Sequence, residues 1–347
     1  MNQYEEICKD MGQRAKVASF ELAQIDQGTL DSALLAIADA VEAQTDEIMA
    51  ANQLDLDKSG DYNVPQTMID RLTLTPSRIS QMAEGVRQVA SIESPVGSVI
   101  ETITRPNGLV IEKRAVPFGV IGIIFEARPN VTIDAGVLCL KTANATILRG
   151  GKEAFHTNQI IVSIMRNTLE TLGITPDAIQ LVEVLDREMV GVLLQQREYI
   201  DVVIPRGGAG LIRRVVNESS IPVIETGSGV CHTFVDEYAN LDMALEIAIN
   251  AKVQRPSVCN SMETLLVHQA VAAEFLPRLD VALQEYGVRI HGDNAVAQYM
   301  GNTIPLTDDS FNTEYNDMDL NVRIVDTLEE AIDHVNLYST HHSEAIV

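Results

Sequence analysis

The segment DVVIPRGGAGLIRRVV, residues 201–216, places a short apolar run before a glycine-rich turn and a second run with helical spacing. The β-branched residues of the first run predict a buried strand, and the second run predicts a helix. Gly207, Gly208 and Gly210 let the backbone approach a phosphate closely, and the unpaired N–H groups of a helix start attract anions. The motif is weak alone, because GGAG is not the G-x-G-x-x-G dinucleotide fingerprint and such turns are often structural.

A second segment, ATILRGGKEA at residues 145–154, has the same layout, with Arg149 and Lys152 on either side of a glycine pair. Basic residues at two strand-to-helix turns of an acidic chain favour an extended anion, such as a dinucleotide phosphate, as the ligand. The alternative, that both are solvated surface cations, stays equally open on these residues alone.

Short apolar runs alternate with helical runs through most of the chain. The predicted strands are GVIGIIF, ATILR, AIQLVEV, DVVIP and PVIE in one stretch and METLLVH, VRIHG, NVRIV and SEAIV in the other. This alternation is typical of parallel sheets with crossover helices, so the predicted fold class is α/β. A chain of 347 residues is too long for one typical domain. We expect a boundary near residue 230, which rests on the chemistry of the two halves.

The beginning of the chain has a different pattern. Residues 1–93 repeat apolar positions at helical spacing, with a new helix after Pro76. The segment GSVIETITRPNGLVIEKRAVPFG, starting at Gly97, has alternating β-branched runs on both sides of Pro106-Asn107-Gly108, which predicts a β-hairpin. At its other end the chain stops at Val347 inside an apolar strand, so we expect it to be a fragment.

The composition describes an acidic chain with a large core. It is 46% apolar with a mean hydropathy of +0.06. The 25 basic and 49 acidic residues give a net charge of −24, which argues against nucleic acid or an anionic membrane as a partner. No apolar run approaches the roughly 20 residues that cross a bilayer, and the N-terminus is acidic, so we expect a cytoplasmic protein.

The four cysteines are far apart in the sequence. They form neither a C-x-x-C pair nor a cluster at zinc spacing, so no disulfide framework and no metal site is predicted. Cys139 has apolar neighbours, Cys8 lies on a helix with acidic neighbours, and Cys231 is predicted in a strand. Cys259 instead lies in an irregular polar segment, where Arg255 can favour a thiolate. Cys259 is therefore the candidate nucleophile, with an inert turn cysteine as the alternative.

Five segments of the chain, taken in order, resemble segments of a known protein family. They are MIDRLTLTPSRI, VPFGVIGIIFEARPNVTIDAGVLCLKTANATILRGGKEA, IPRGGAGLIRRV, VQRPSVCNSMETLLVH and VDTLEEAIDHVNLYSTHHSEAI. Together they resemble the aldehyde dehydrogenase superfamily and, within it, the γ-glutamyl phosphate reductase family. The last is similar to that family's signature near the C-terminal end, with Val335 where isoleucine is usual. The resemblance runs from about Lys16 to the last residue, and five ordered segments are far more specific than any one of them.

The resemblance implies an aldehyde dehydrogenase-like fold. A Rossmann-type NADP-binding domain is expected over residues 1–229, and an α/β catalytic domain, incomplete at its C-terminus, over residues 230–347. The hairpin at residues 97–116 matches the superfamily's oligomerisation arm, so the resemblance also implies a homodimer or a larger assembly.

The resemblance implies roles for individual residues as well. Cys259 matches the superfamily's catalytic cysteine. The PRGGAG loop matches the segment that faces the cofactor diphosphate, and its members are Arg206, Gly207, Gly208 and Gly210. Arg149 matches a lysine that contacts the adenosine ribose or its 2′-phosphate, with Lys152 close by. Glu314 in NTEYNDM falls where a glutamate holds the nicotinamide ribose.

Three further positions fall at or near catalytic residues of the superfamily, with a changed residue or a changed role. Glu225 falls at the general-base glutamate of the hydrolytic members, but an enzyme that uses an acyl phosphate should not activate water. We therefore expect a structural role for Glu225 and group it with the cofactor-binding residues. In FEARPN, Arg128 occupies the position of the superfamily's oxyanion asparagine, and Asn130 lies two positions on. Either can stabilise an oxyanion or bind the substrate's phosphate or carboxylate.

The implied reaction is the NADPH-dependent reduction of L-glutamyl 5-phosphate to L-glutamate 5-semialdehyde and phosphate in proline biosynthesis, through a thioester on Cys259. NADPH is expected rather than NADH on pathway grounds and because of Arg149 and Lys152. The lability of the acyl phosphate favours contact with the glutamate 5-kinase that makes it. One alternative is a related reductase that uses another acyl phosphate or a CoA thioester. Another is an inactive truncated chain that only binds nucleotide or a partner subunit.

Overall fold

The structure, a computed structural model, describes residues 3–62, 69, 71–126, 128–225 and 229–347. The chain divides into two compact units, Met1–Thr226 and Gly227–Val347. The division falls between residues 226 and 227, whereas the sequence suggested residues 229 and 230. The functional roles assigned to the two domains stay predictions.

The first unit begins with helices, as the apolar periodicity predicts. They are α1 (Gln3–Leu22), α2 (Gln27–Ala43), α3 (Thr45–Asp57) and α4 (Pro76–Ser91). Asp26 caps the start of α2, and its side chain accepts a hydrogen bond from the Thr29 N–H group at 3.0 Å. Thr75 caps α4 in the same way, and Pro76 lies in the first turn, where its missing N–H group costs no hydrogen bond.

The predicted hairpin is confirmed. Strand β1 (Val99–Thr104) pairs antiparallel with β2 (Val110–Arg114), and Thr104 lies opposite Val110. The loop closes with a hydrogen bond from the Arg105 N–H group to the Leu109 carbonyl at 2.8 Å. Gly108 has a φ of 85°, a left-handed conformation that glycine adopts without steric cost. Every residue of the two strands is exposed.

A four-stranded parallel sheet forms the centre of the first unit. Its strands are β3 (Val120–Phe125), β4 (Ala145–Arg149), β5 (Ile179–Leu181) and β6 (Val202–Arg206), in the order β5-β4-β3-β6. The connecting helices are α5 (Pro129–Lys141), α6 (Phe155–Thr171), α7 (Arg187–Leu193) and α8 (Ala209–Glu218). Phe125 pairs with Arg206 and Ile124 with Arg149. The segments that follow β3, β4 and β6 therefore emerge together at the carboxyl ends of the strands, where ligands bind in open α/β folds.

The second unit is built around a six-stranded parallel sheet. Its strands are β7 (Cys231–Val235), β8 (Met262–His268), β9 (Arg289–Gly292), β10 (Ile304–Pro305), β11 (Asp319–Val325) and β12 (Glu344–Ile346), in the order β10-β9-β11-β8-β7-β12. Its helices are α9 (Leu241–Val253), α10 (Gln269–Gln284) and α11 (Leu328–Tyr338). The core lies between the sheet and these helices and includes the fully buried Leu265, Phe275 and Val322.

The predicted α/β class with parallel sheets is confirmed, and two predicted strands were wrong in extent. PVIE, residues 222–225, forms only an isolated bridge between Val223 and Val203. Pro222 has no N–H group to donate, which limits this pairing. AIQLVEV is a strand only over β5, which lies at a sheet edge, where short strands are common. Within the described residues, no helix is long and apolar enough to span a membrane.

Candidate active site

Cys259 lies in the turn that connects α9 to β8. The Val258 N–H group donates to the Arg255 carbonyl at 3.2 Å, and the Ser261 N–H group donates to the Val258 carbonyl at 3.0 Å. These bonds constrain the backbone on both sides of the cysteine.

Gly229, which precedes β7, and Cys231, the first residue of that strand, pack directly against the backbone of Cys259. A Cβ atom on Gly229 would lie 1.7 Å from the carbonyl oxygen of Cys259 and 2.7 Å from its carbonyl carbon. The Sγ atom of Cys231 donates to the same oxygen at 3.2 Å. Only glycine fits at position 229, and this close approach fixes where the Cys259 backbone lies. Gly229 was not among the predicted site residues, because nothing in the sequence indicates which distant backbone it meets.

The other three thiols are poorly suited to nucleophilic chemistry. Cys8, Cys139 and Cys231 are buried, whereas Cys259 is partly exposed. Burial raises the pKa of Cys8 to about 11 and the pKa of Cys139 to about 12. Burial, and then the charge of Glu344, raises the pKa of Cys231 to about 12. Because the thiolate is the reactive form, Cys259 is the best candidate nucleophile of the four.

A buried ion pair joins the two elements that flank the Cys259 turn. Lys252, near the end of α9, donates from Nζ to Oε2 of Glu263 on β8 at 2.8 Å, and both side chains are almost fully buried. The other oxygen of Glu263 accepts from the Asn316 N–H group at 3.2 Å. Burial raises the pKa of Glu263 to about 7, Lys252 opposes that rise, and Glu314 adds to it. One carboxylate thus connects the Cys259 turn to the loop of Glu314, the residue expected at the nicotinamide ribose.

The loop before β12 lies beside Cys231. The Thr340 hydroxyl accepts from the Val230 N–H group at 3.0 Å. His342 Nδ1 lies 3.9 Å from the Cys231 Sγ atom and 2.9 Å from the Ser343 hydroxyl. Since Cys231 also contacts the Cys259 carbonyl, this loop places an imidazole near the candidate nucleophile. His342 was not among the predicted site residues.

In the first unit, the glycine turn after β6 forms a hydrogen bond with a carboxylate of the same chain. Glu126, which follows β3, accepts a hydrogen bond from the Gly208 N–H group at 2.9 Å. A Cβ atom on Gly207 would lie 2.7 Å from the Glu126 carboxyl carbon, so a larger residue there would force this exposed side chain to move. The start of α8 therefore already binds an oxyanion in this structure, which fits the predicted diphosphate site. Gly210, one residue into α8, has open space around its Cα atom.

Arg149 is buried rather than a solvated surface cation, so that alternative was wrong for this residue. Its guanidinium donates to the carbonyls of Gly150 and Leu185, while Nε is buried without a partner among the described residues. Burial lowers the pKa of Arg149; Glu153 opposes this, and Arg187 and Arg214 add to it. Of these two arginines, Arg214 is paired with Glu218 at 3.0 Å.

The remaining predicted residues have simpler surroundings. Lys152 is exposed, with Nζ 4.3 Å from the centroid of the Tyr62 ring, a cation–π contact. Arg128 lies just before α5 and is half-buried. Asn130 is exposed in the first turn of α5, and its Nδ2 donates to Asp134 at 3.0 Å. Glu225 is exposed.

The structure brings the predicted residues together in two groups. In the first unit, Arg206, Gly207 and Gly208 lie with Glu126 at the carboxyl ends of the strands, the side of the sheet at which β4 ends in Arg149. In the second, the Cys259 turn is tied to the Glu314 loop through Glu263. A groove of about 760 Å³ between α1, α6 and β5 is lined by residues such as Glu6, Arg14 and Gln180, and contains none of the predicted site residues.

Comparison with known proteins places this arrangement in a family. The model of the aldehyde dehydrogenase family matches residues 3–304, and the chain belongs to this family. The chain is 48% identical over 347 residues to a γ-glutamyl phosphate reductase of Thermobifida fusca, covering 100% of this chain and 83% of that protein. It is 51% identical over 336 residues to the protein of the same name from Moorella thermoacetica, covering 97% of this chain and 80% of the relative.

Solved structures agree with these relatives. The crystal structure of γ-glutamyl phosphate reductase from Thermotoga maritima matches with a TM-score of 0.94 and 39% identity, covering 98% of this chain and 82% of that one. An acetylating aldehyde dehydrogenase from Geobacillus thermoglucosidasius matches with a TM-score of 0.68 at 17% identity, which shows the shared fold alone. The predicted family, fold and oxidoreductase class are confirmed.

Proposed function

We propose that this chain reduces L-glutamyl 5-phosphate to L-glutamate 5-semialdehyde with NADPH, as a step of proline biosynthesis. The main support is that Cys259 is a partly exposed thiol in a hydrogen-bonded turn. The chain that carries it is 48% identical to a relative named γ-glutamyl phosphate reductase. The same turn geometry supports a thioester route, because covalent catalysis needs a nucleophile at a fixed position.

In the proposed mechanism, the Cys259 thiolate attacks the carbonyl carbon of the acyl phosphate. A C–S bond forms, the C–O bond to phosphate breaks, and phosphate leaves with the bonding electrons and takes up a proton. Bound NADPH supplies the hydride that reduces the resulting thioester. The tetrahedral oxyanion then expels the thiolate, which regenerates Cys259 and releases the aldehyde. Backbone N–H groups near Cys259, together with Asn130 or Arg128, are proposed to stabilise the oxyanions.

The cofactor is proposed to bind at two groups of residues. The turn from Arg206 to Gly210 takes the diphosphate, for which the carboxylate already bound at the Gly208 N–H group is a chemical precedent. Arg149 and Lys152 take the adenosine ribose and its 2′-phosphate, and their two positive charges favour NADPH over NADH. Glu314 is proposed to hold the nicotinamide ribose, with Glu225 in a structural role.

The partners and location follow from the same proposal. The exposed hairpin of β1 and β2 carries apolar side chains, including Val99, Ile103 and Val110, on a two-stranded sheet that is marginal alone. We propose that it pairs with another copy of the chain in a homodimer or larger assembly. Contact with a glutamate 5-kinase and action in the cytoplasm stay predictions.

The deciding assay follows NADP reduction by glutamate semialdehyde with and without inorganic phosphate. We expect NADPH to form only when phosphate is present, and we expect Cys259→Ser to abolish this reaction. The same variant should still bind NADPH, as measured by calorimetry. Cys8→Ala is the matched control, because Cys8 is fully buried in the helical layer. Turnover by Cys259→Ser would refute the nucleophile. Reduction that requires coenzyme A instead of phosphate would favour the acyl-CoA alternative.

A further inference from the structure

The basic residues of the second unit are almost all neutralised by carboxylates. Four of the five lysines and arginines within residues 229–347 form ion pairs: Lys252 with Glu263, Arg278 with Asp242, Arg289 with Asp317 and Asp319, and Arg323 with Glu330. In this part of the structure, Arg255 is the one left without an ion pair, and its side chain is exposed. Arg255 belongs to the same hydrogen-bonded turn as Cys259.

A second donor faces this turn from β7 and the loop before β12. Cys231 Sγ lies 3.2 Å from the Cys259 carbonyl oxygen and 3.9 Å from His342 Nδ1. His342 is exposed, and its Nε2 atom has no hydrogen-bond partner among the described residues. The loop that carries it is held in place by Thr340 at the Val230 N–H group and by Glu344, which accepts from the His232 N–H group at 2.9 Å.

The chemistry of an acyl phosphate requires an anion site at this position. The reacting carbonyl carbon must lie about 3–3.5 Å from the attacking sulfur, and only one bridging oxygen separates that carbon from phosphorus. The phosphoryl group must therefore sit close to the Cys259 turn. In a chain with a net charge of −24, an anion is bound only where local donors are not already neutralised.

We propose that Arg255 and His342 bind the phosphoryl group of the substrate and hold the phosphate as it leaves. This inference rests on the proposed function, because it assigns the leaving-group site of that reaction. Arg255 supplies a guanidinium, which binds phosphate oxygens in pairs, and His342 supplies an N–H donor. The two residues thereby make the enzyme specific for an acyl phosphate rather than for a neutral ester or an unactivated acid.

The test measures how inorganic phosphate protects Cys259 from alkylation by iodoacetamide, with each labelled cysteine identified by mass spectrometry. Iodoacetamide is neutral, so phosphate slows the reaction by occupying space beside the thiol, and sodium chloride at equal ionic strength is the salt control. Loss of one charged hydrogen bond should raise the half-protecting phosphate concentration about tenfold or more in Arg255→Gln and in His342→Asn. This concentration is read separately from the unprotected alkylation rate, which reports the thiol itself.

Matched controls separate binding from folding. Arg278→Gln removes an arginine from an exposed ion pair, and His341→Asn changes the adjacent histidine, whose φ of 58° asparagine tolerates. Both controls should keep the wild-type protection, and all variants should keep the wild-type circular dichroism spectrum. The inference is overturned if phosphate does not protect wild-type Cys259 or protects Arg255→Gln and His342→Asn equally well.

The NADP-reduction assay separates this inference from the proposed function. If the wild type shows phosphate-dependent reduction but both variants keep its KM for phosphate, the inference fails and the function stands. If phosphate protects the wild type and not the variants, yet no reduction of NADP occurs with glutamate semialdehyde, the phosphate site stands and the proposed function fails.

Discussion

Replacing Lys252 by methionine should destabilise the second unit more at pH 8 than at pH 5. Lys252 and Glu263 are 0% and 1% exposed and 2.8 Å apart. At that distance their attraction is about 6 kcal/mol for an effective dielectric constant of 20. Desolvation of the two ions costs several kcal/mol each, so the net contribution of the intact pair is small. Removing the ammonium alone leaves a buried carboxyl group without its partner, and this group avoids an unpaired charge only by keeping its proton.

The pH dependence follows from the carboxyl group. Burial raises the pKa of Glu263 from 4.5 to about 7 although Lys252 opposes the rise. The folded protein therefore holds this proton more tightly than the unfolded chain does. That contribution to stability is complete below about pH 4.5 and is lost as pH rises through about 7, a change of about 3 kcal/mol. Without Lys252 the pKa rises further, so the loss becomes larger and continues to higher pH.

The assay is urea unfolding followed by circular dichroism at several pH values, with wild type and Lys252→Met compared at each. Little difference is expected near pH 5, where Glu263 is protonated, and a loss of about 1–2 kcal/mol near pH 8, because the variant's carboxyl group still keeps its proton there whereas that of the wild type has lost it. The double variant Lys252→Met, Glu263→Gln should recover most of that loss, since no buried charge remains. Arg278→Met, which breaks an exposed ion pair, should have little effect at either pH. A Lys252→Met penalty that is equal at both pH values would refute this reasoning.

Two other variants probe the candidate sites. Gly229→Ala should lower the thermal unfolding temperature and the rate of NADP reduction together, because its Cβ atom must displace the Cys259 carbonyl. Gly85→Ala, on a helix with open space around the Cα atom, should instead be neutral or stabilising by up to about 1 kcal/mol, and a similar loss in both variants would contradict the packing argument. Glu126→Gln should tighten NADP binding, measured by calorimetry, up to about tenfold, because the cofactor diphosphate no longer displaces a carboxylate from the Gly208 N–H group. Unchanged or weaker binding would contradict that prediction.

The sequence predicted the strands best where burial on both faces produced an uninterrupted apolar run. All residues of β3 and β4 are buried, and both strands were predicted from such runs. PVIE looked similar in composition but forms one bridge, because composition does not show where a sheet ends. The hairpin was predictable from its Asn-Gly turn, since turn chemistry is local.

The contacts that shape the site were not predictable from local patterns. Glu126 and the Gly208 N–H group are 82 positions apart in the sequence, and their contact depends on the register of β3 and β6. Lys252 and Glu263 each interrupt an apolar run with an opposite charge, which was a usable signal for a buried pair. The candidate nucleophile Cys259 was identified because its polar, irregular surroundings are a property of the sequence itself.

The hairpin of β1 and β2 has a consequence for hydrogen exchange. Among the residues that the structure describes, its ladder joins its own two strands and no other, and all residues of those strands are exposed. Such a ladder opens readily in isolation, whereas pairing with another copy would close it. The exchange rates of its amide protons should therefore fall as the protein concentration rises, while those of the buried β3 and β4 stay constant. Order in this segment would then depend on how many copies of the chain are nearby.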